Sequence, residues 1–80
     1  PIAKNLIVMQ YTDRPGIVAV YGREFGDAGI NIAGMQIARH TAGGQALSVL
    51  TVDSPVPAEI HAAVRDAIAA DVLIEIDITE

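Results

Sequence analysis

The sequence predicts a single α+β domain in which a four-stranded antiparallel sheet carries two helices on one face. Six segments with strand or helix periodicity follow one another in the order β-α-β-β-α-β. Glycine and proline mark most of the boundaries between them, and 80 residues are enough for one such unit. This order is that of the ferredoxin-like fold. We therefore expect residues 1–80 to form one domain.

The first two elements are a central strand and an amphipathic helix. The strand is predicted over Asn5–Thr12, because apolar residues occupy both of its faces. The helix is predicted over Gly16–Ala28, with Asp13 as its N-cap, Pro15 in its first turn and Gly29 ending it. Its apolar stripe consists of Ile17, Val20, Tyr21, Phe25 and Ala28.

A hairpin follows the first helix. The second strand is predicted over Ile30–His40, and its apolar parity changes across Ala33–Gly34, which predicts a β-bulge there. The turn is predicted over Thr41–Gly44, and the third strand over Gln45–Asp53. The third strand is apolar on both faces. The predicted fold leaves one face of the sheet without helices, although the central strands carry apolar residues on that face too. We therefore expect a partner to cover part of that face or to extend the sheet at its edge.

The last two elements complete the second half of the fold. A helix is predicted over Ala58–Ala70, with Pro57 at its start and an apolar stripe of Ile60, Val64, Ala67 and Ile68. The closing strand is predicted over Asp71–Thr79, where apolar and acidic residues alternate. We expect its isoleucines to face the core, and Glu75 and Asp77 to form an acidic, solubilising outer face.

Composition argues against several classes of function. The net charge is −5, and the five basic residues are scattered, which makes nucleic acid and anionic membranes poor partners. No apolar run is long enough to span a membrane, and we see no signal peptide. Cysteine is absent, which fits a cytoplasmic protein.

His40 and His61 are expected to be solvated, as is Arg14. No metal site and no catalytic residue is predicted, so the chain alone is not expected to be an enzyme.

The segment from Tyr11 to Gly16 is the best candidate for a binding site. It joins a strand to a helix N-terminus, whose free N–H groups and dipole attract carboxylates. Asp13 beside it could attract an ammonium group. An α-amino acid carries both charges on adjacent carbons, so it would suit this loop. The alternative interpretation is a capped helix start without a ligand.

Three motifs resemble those of ACT domains, which are small regulatory modules that bind amino acids. They are Asp13-Arg-Pro-Gly16, Gly29-Ile-Asn-Ile32 and Gly43-Gly-Gln-Ala-Leu47. The resemblance covers nearly the whole chain. The stretch from Ile32 to Asp53 is most similar to the C-terminal ACT domains of D-3-phosphoglycerate dehydrogenases. Because the chain starts at Pro1 without methionine, we expect it to be the C-terminal fragment of a longer enzyme.

The resemblance implies a mechanism of regulation. ACT domains of that family pair side by side into an eight-stranded sheet, and L-serine binds at the interface and inhibits the enzyme. The matching contacts in this chain are Tyr11, Asp13 and Asn31. The helix start itself adds the free N–H groups near Pro15 and Gly16, which we expect to bind the ligand carboxylate. No cofactor is expected in this fragment, whereas the parent enzyme would use NAD. Two alternatives stay open: an ACT domain that binds another small amino acid, and a dimerisation module without a ligand.

Overall fold

A computed structural model describes residues 4–78, which form one antiparallel sheet with two helices on one face. The strand order is β2-β3-β1-β4, so β2 and β4 are the edges. The predicted fold class is confirmed. The elements are β1 Asn5–Thr12, α1 Ile17–Asp27, β2 Ile32–Arg39, β3 Gln45–Val52, α2 Ala58–Ile68 and β4 Val72–Asp77. Thr79, the last residue of the predicted closing strand, lies outside the described residues.

The core lies between the helices and the covered face of the sheet. The core residues of β1 are Ile7, Met9 and Tyr11. In β3 every second residue from Ala46 to Val52 is buried in the core. The buried stripe of α1 is Ile17, Tyr21 and Phe25, and that of α2 is Val64 and Ile68. These residues are spaced by four, which gives a narrower stripe than predicted. The remaining predicted stripe residues are therefore exposed or only partly buried: Val20, Ala28, Ile60 and Ala67.

The start of α1 differs from the prediction. Gly16 is the N-cap, with φ of 89°, and no side chain caps the helix. Pro15 therefore lies before the helix instead of in its first turn. Asp13 is not the cap because its carboxylate turns towards the β2–β3 hairpin. A left-handed residue at the entry to a helix favours glycine, which adopts positive φ without a Cβ clash.

The end of α1 is as predicted. Gly29 has φ of 76°, its N–H donates to the Gly26 carbonyl, and the Ile30 N–H donates to the Phe25 carbonyl. These two bonds form the Schellman arrangement that ends many helices.

The predicted bulge in β2 is also confirmed. The register against β3 shifts between Ile32 and Gly34. The extra residue brings Ile32, Met35 and Ile37 onto the same face of the sheet, opposite buried residues of β3. Met35 and Ile37 nevertheless remain about half exposed. They stay exposed because β2 is the edge strand and the helices do not cover it fully.

The orientation of β4 is opposite to the prediction. Register with β1 pairs Ile74 with Val8 and Glu75 with Ile7, so the isoleucines face away from the helices and Glu75 faces them. The Glu75 carboxylate is nevertheless satisfied. It accepts from Asn5 Nδ2 at 2.5 Å and the Val56 N–H at 3.1 Å, and it lies 2.6 Å from His61 Nε2. His61 is therefore not simply solvated, and Glu75 is not part of an acidic outer face.

The sheet face without helices, which we call the open face, carries no charged side chain on its strands. Its residues are Leu6, Val8, Gln10, Thr12, Gly34, Gln36, Ala38, Gln45, Leu47, Val49, Thr51, Val72, Ile74 and Ile76. Several of the aliphatic ones are more than a third exposed. An apolar surface of this kind is typical of a region that contacts a partner. Among the described residues, neither helix is long and apolar enough to cross a membrane.

Candidate functional site

Asp13 lies at the corner of the sheet where β1 and β2 end and β3 begins. Its Oδ2 accepts hydrogen bonds from the Arg39 guanidinium and, at 3.3 Å, from the Gly43 N–H. The Asp13 N–H donates to the Gly44 carbonyl at 2.8 Å. We call Asp13, Arg39 and Gly43 the Asp13 corner. These bonds join the loop after β1 to the β2–β3 hairpin.

The charge of Asp13 is stabilised at this corner. The hydrogen bond from Arg39, and after it the one from the Gly43 N–H, hold the pKa of the Asp13 carboxyl below its ordinary value of 3.8. The side chain of Asp13 is 21% exposed and that of Arg39 is 51% exposed. A carboxylate and a guanidinium are therefore both accessible to a small ligand at the same place.

The N-terminus of α1 adds hydrogen-bond donors near this corner. The first helical bond runs from the Val20 N–H to the Gly16 carbonyl, so the N–H groups before Val20 have no partner within the helix. Pro15 and Gly16 are exposed, and the space beside the Gly16 Cα is open. Asp13 precedes the N-cap Gly16 by three residues, so neutral donors and the positive end of a helix dipole follow it closely along the chain.

Arg14 is exposed, as predicted, and its guanidinium also makes two contacts with the backbone. Its Nη1 donates to the Thr12 carbonyl at 3.0 Å, and its Nη2 donates to the Ile68 carbonyl at 2.7 Å. Ile68 is the last residue of α2, where carbonyl groups lack partners within the helix. Arg14 thus joins the loop after β1 to the C-terminus of α2.

Tyr11 lies in the core and not on the surface of the corner. Its side chain is almost fully buried, and its hydroxyl lies 2.6 Å from the Ser48 Oγ. Nearby, the Tyr21 hydroxyl donates to the Met35 Sδ at 3.1 Å, and burial raises the pKa of Tyr21. Tyr11 therefore supports the corner from the covered face of the sheet.

Asn31 lies at the opposite end of the sheet from Asp13. Its Nδ2 donates to the Asp53 Oδ2 at 2.6 Å, and its carbonyl accepts from the Asp53 N–H. Eight residues of strand separate it from Arg39, which corresponds to about 26 Å at 3.3 Å per residue. Asp13, Pro15 and Gly16 thus lie on one loop after β1, whereas Asn31 lies at the other end of the sheet within one copy.

Arg39 is the residue of this region that the sequence analysis missed. A signal for it existed in the hairpin. A turn at Thr41–Gly44 pairs Arg39 with Ala46, and Ala46 pairs with Tyr11, two residues before Asp13. Predicting that contact requires the register of β2 against β3 and that of β3 against β1.

The described residues also contain no cluster suited to a metal ion. No group of three or more histidine, aspartate or glutamate side chains within residues 4–78 is arranged to hold a metal ion. A shallow depression of about 300 Å³ lies beside the hairpin, and Asp13 does not line it. Its lining residues are Gln10, Ala38, Arg39, His40, Gln45, Ala46 and Leu47.

Comparison with known proteins gives one family. The model of the ACT domain family matches residues 5–69. D-3-Phosphoglycerate dehydrogenase of Methanocaldococcus jannaschii is 36% identical over 61 residues, which are 76% of this chain and 12% of that protein. The enzyme of the same name from Mycobacterium leprae is 34% identical over 67 residues, which are 84% of this chain and 13% of that protein. The chain therefore spans about an eighth of the length of these relatives.

A solved structure supports the fold. A formyltetrahydrofolate deformylase from Pseudomonas syringae pv. tomato superposes with a TM-score of 0.80 over 96% of this chain and 28% of that chain. The sequence identity is 15%, so the likeness concerns the fold alone.

Proposed function

The chain belongs to the ACT domain family, and on that premise we propose that it is an amino-acid-binding regulatory domain through which L-serine inhibits a D-3-phosphoglycerate dehydrogenase. The observation that carries the proposal is the Asp13 corner. It presents a partly exposed carboxylate on the loop that leads into α1, whose first N–H groups have no partner within the helix. The ammonium group of the ligand would bind Asp13, and its carboxylate would bind the N–H groups near Pro15 and Gly16.

The proposal needs a second copy of the chain to complete the site. Asn31 and Asp13 are at opposite ends of the sheet, and β2 is an edge strand. If two copies pair their β2 strands antiparallel about a two-fold axis, Asn31 of one copy comes to the end of the other copy's β2, where Arg39 contacts Asp13. The Asn31 amide has both a donor and an acceptor, so it could bind either end of the ligand. Tyr11 would shape the site from beneath by fixing the end of β1.

The surface along β2 is suited to such pairing. Met35 and Ile37 are exposed there, and Val20 of α1 is also partly exposed. An edge strand offers unpaired N–H and C=O groups to another strand. A homodimer formed through this edge, which we call the β2 edge, would bury apolar surface and extend the sheet to eight strands.

The parent protein is part of the same proposal. The curated relatives are several times longer than this chain, and they are named for dehydrogenase activity. We propose that the chain is the regulatory part of a cytoplasmic, NAD-dependent enzyme of that kind. Catalysis and NAD binding would then belong to other parts of the protein.

A ligand-free dimerisation module is the second candidate function. It is favoured by one specific observation, namely that the Asp13 carboxylate already has a cationic partner in Arg39. Calorimetric titration of the chain with L-serine and a panel of other small amino acids separates the two functions. We expect binding of L-serine, together with a rise in unfolding free energy of about 2.7 kcal/mol at a hundred times the dissociation constant. No heat and no stabilisation with any amino acid would favour the dimerisation module.

Sedimentation then tests whether the ligand lies between copies. If serine contacts both copies, saturating serine lowers the dimer dissociation constant by the same factor by which dimerisation tightens serine binding. If serine binds but the dimer constant does not change, the site lies within one copy and the shared-site geometry is wrong.

Asn31→Ala tests the contribution of the second copy. We expect it to weaken serine binding about ten- to a hundredfold, since a hydrogen bond to a charged group contributes about 1.5–3 kcal/mol. Asp66→Ala on the exposed side of α2 is the control and should leave the affinity unchanged. His61 is unsuitable as a control because it contacts Glu75. Equal effects of the two substitutions would remove Asn31 from the site.

A further inference from the structure

We infer that Arg39 binds the α-carboxylate of the ligand, so that the Asp13–Arg39 ion pair opens to accept an amino-acid zwitterion between its two charges. The inference rests on the proposed function of the Asp13 corner as an amino-acid site. It adds a charged partner for the carboxylate, and it makes the presence of that carboxylate a condition for binding.

The contacts within the corner leave room for a ligand. Arg39 and the Gly43 N–H both bind the Oδ2 of Asp13, so the contacts of that carboxylate within the described residues leave Oδ1 to a ligand. Arg39 uses Nη1, and a guanidinium has five N–H donors in a fixed fork. The exposed side of this fork can bind a carboxylate while Asp13 turns towards an ammonium group.

The cost of opening the pair is small. Half of the Arg39 side chain and a fifth of the Asp13 side chain are exposed, so water reaches the ion pair and screens it, and pairs accessible to water contribute little to stability. The Gly43 N–H continues to hold Asp13 when Arg39 turns away. The ligand therefore replaces one charge contact of Asp13 and one of Arg39, and the net charge of the corner does not change.

The other basic side chains do not compete for this role. Arg14 is nearest in sequence, but its guanidinium binds the Thr12 and Ile68 carbonyls. Arg23 and Arg65 lie on helices near exposed acidic neighbours. Lys4 precedes β1 and so lies at the other end of the sheet from Asp13. Among the described residues, Arg39 is therefore the basic group that lies against Asp13 and faces solvent.

The position of Arg39 also fits the shared site. Arg39 is the last residue of the edge strand β2, and antiparallel pairing of two β2 strands brings the Asn31 end of one copy towards the Arg39 end of the other. Asp13, Arg39 and the second copy's Asn31 would then surround one ligand. A carboxylate has about four lone-pair positions, so it can accept from Arg39 and from the α1 N–H groups together.

A pair of ligands that differ only at the carboxylate tests this assignment. We expect the chain to bind L-serine about ten- to a hundredfold more tightly than L-serinamide, which keeps the ammonium and hydroxyl groups but lacks the negative charge. Arg39→Gln should abolish most of this preference by weakening L-serine binding while leaving L-serinamide binding nearly unchanged. Arg39→Lys should keep part of it, since lysine retains the charge but loses the fork.

Arg23→Gln is the matched control, because Arg23 also lies near an exposed aspartate, Asp27. It should keep the full preference for L-serine, and thermal unfolding of each variant checks that it is folded. Tighter L-serine binding by Arg39→Gln would show that Arg39 only blocks Asp13, and this result overturns the inference. Equal weakening of both ligands overturns it as well. If the unmodified chain binds neither ligand, the proposed function itself fails.

Discussion

Glu75 is the side chain on which three parts of the fold converge. It lies on β4, and its carboxylate contacts Asn5 at the start of β1, the Val56 N–H before α2 and His61 on α2. Its side chain is 15% exposed and that of His61 is 24% exposed. Water competes little for these hydrogen bonds, so they hold the edge strand β4 to the rest of the molecule.

Removal of this carboxylate should be costly. Glu75→Ala leaves the Asn5 amide and the Val56 N–H without their partner, and an unpaired polar group in a buried position costs about 1–3 kcal/mol. We expect a loss of about 2–3 kcal/mol in unfolding free energy, measured by urea denaturation. Asp66→Ala, at an exposed position of α2, should change it by less than about 0.5 kcal/mol. A loss no larger for Glu75 than for Asp66 would contradict the role of this contact.

Asp13 makes a pH-dependent contribution to stability. Its pKa in the folded chain lies below the ordinary 3.8, so its contacts stabilise the fold above that pH. The contribution disappears as the pH falls through the lowered pKa. In Arg39→Gln we expect the Asp13 pKa to rise towards its ordinary value, as followed by carboxyl chemical shifts in an NMR titration. An unchanged titration midpoint would show that Arg39 is not the main cause of the shift.

Residue-scale contacts were the part that the sequence did not reveal. Alternation in β4 showed that its isoleucines and its acidic residues face opposite sides, but not which side meets the helices. Hydrophobicity favoured isoleucine inside. The structure reverses this because Glu75 finds three partners there and the open face is itself apolar. For Asp13, the nearby helix start was the partner that local sequence indicated. Its actual partner, Arg39, is 26 residues away in sequence, and no local pattern indicates that contact.

At the scale of elements, one glycine within α1 and one glycine just after it have different backbone conformations. Gly29 ends α1 in the left-handed region, whereas Gly22 lies inside α1 without a positive φ. A Cβ at either position would meet no atom within 4 Å from another part of the fold. Backbone conformation alone should therefore decide the effect of alanine at each position.

Gly29→Ala should destabilise the chain by about 1–2 kcal/mol, which is the cost of placing a Cβ in the left-handed conformation. Gly22→Ala should stabilise it by about 0.5–1 kcal/mol, because alanine favours the helix interior. Thermal or urea unfolding of the two variants measures both changes. Shifts of the same sign would show that side-chain contacts, and not backbone conformation, determine the effect.

Boundaries between elements were predicted well because glycine and proline act locally. The bulge near Gly34 and the Schellman end at Gly29 follow from short sequence signals. The start of α1 was placed one residue early because Asp13 and Pro15 are common at helix starts. The left-handed Gly16 moved the entry to Ile17.

At the scale of the whole molecule, exposed apolar side chains occur at both edges of the sheet. The β2 edge includes Ile37, which is 45% exposed, and β4 at the other edge includes Ile74, which is 48% exposed. The proposed dimer uses the first of these edges. The apolar composition suggested that a partner exists, but the location of the surface depended on strand order, which composition does not encode.

Ile37→Glu should therefore weaken the dimer strongly, because it places a charge in the pairing surface of β2. We expect at least a tenfold rise in the dimer dissociation constant by sedimentation, which corresponds to about 1.4 kcal/mol. Ile74→Glu, with similar exposure but on the open face next to the other edge, should leave that constant nearly unchanged. The reverse result would place the interface on the open face.

The separation of Asp13 and Asn31 by the length of a strand has a genetic consequence. In the proposed dimer, each of the two sites takes Asp13 from one chain and Asn31 from the other. A chain carrying Asp13→Ala and a chain carrying Asn31→Ala should each have no intact site as homodimers. When the two are mixed, the heterodimer has one site with both substitutions and one site with neither. Two chains that each bind serine weakly would therefore complement each other, and half of the sites in every heterodimer would bind serine normally.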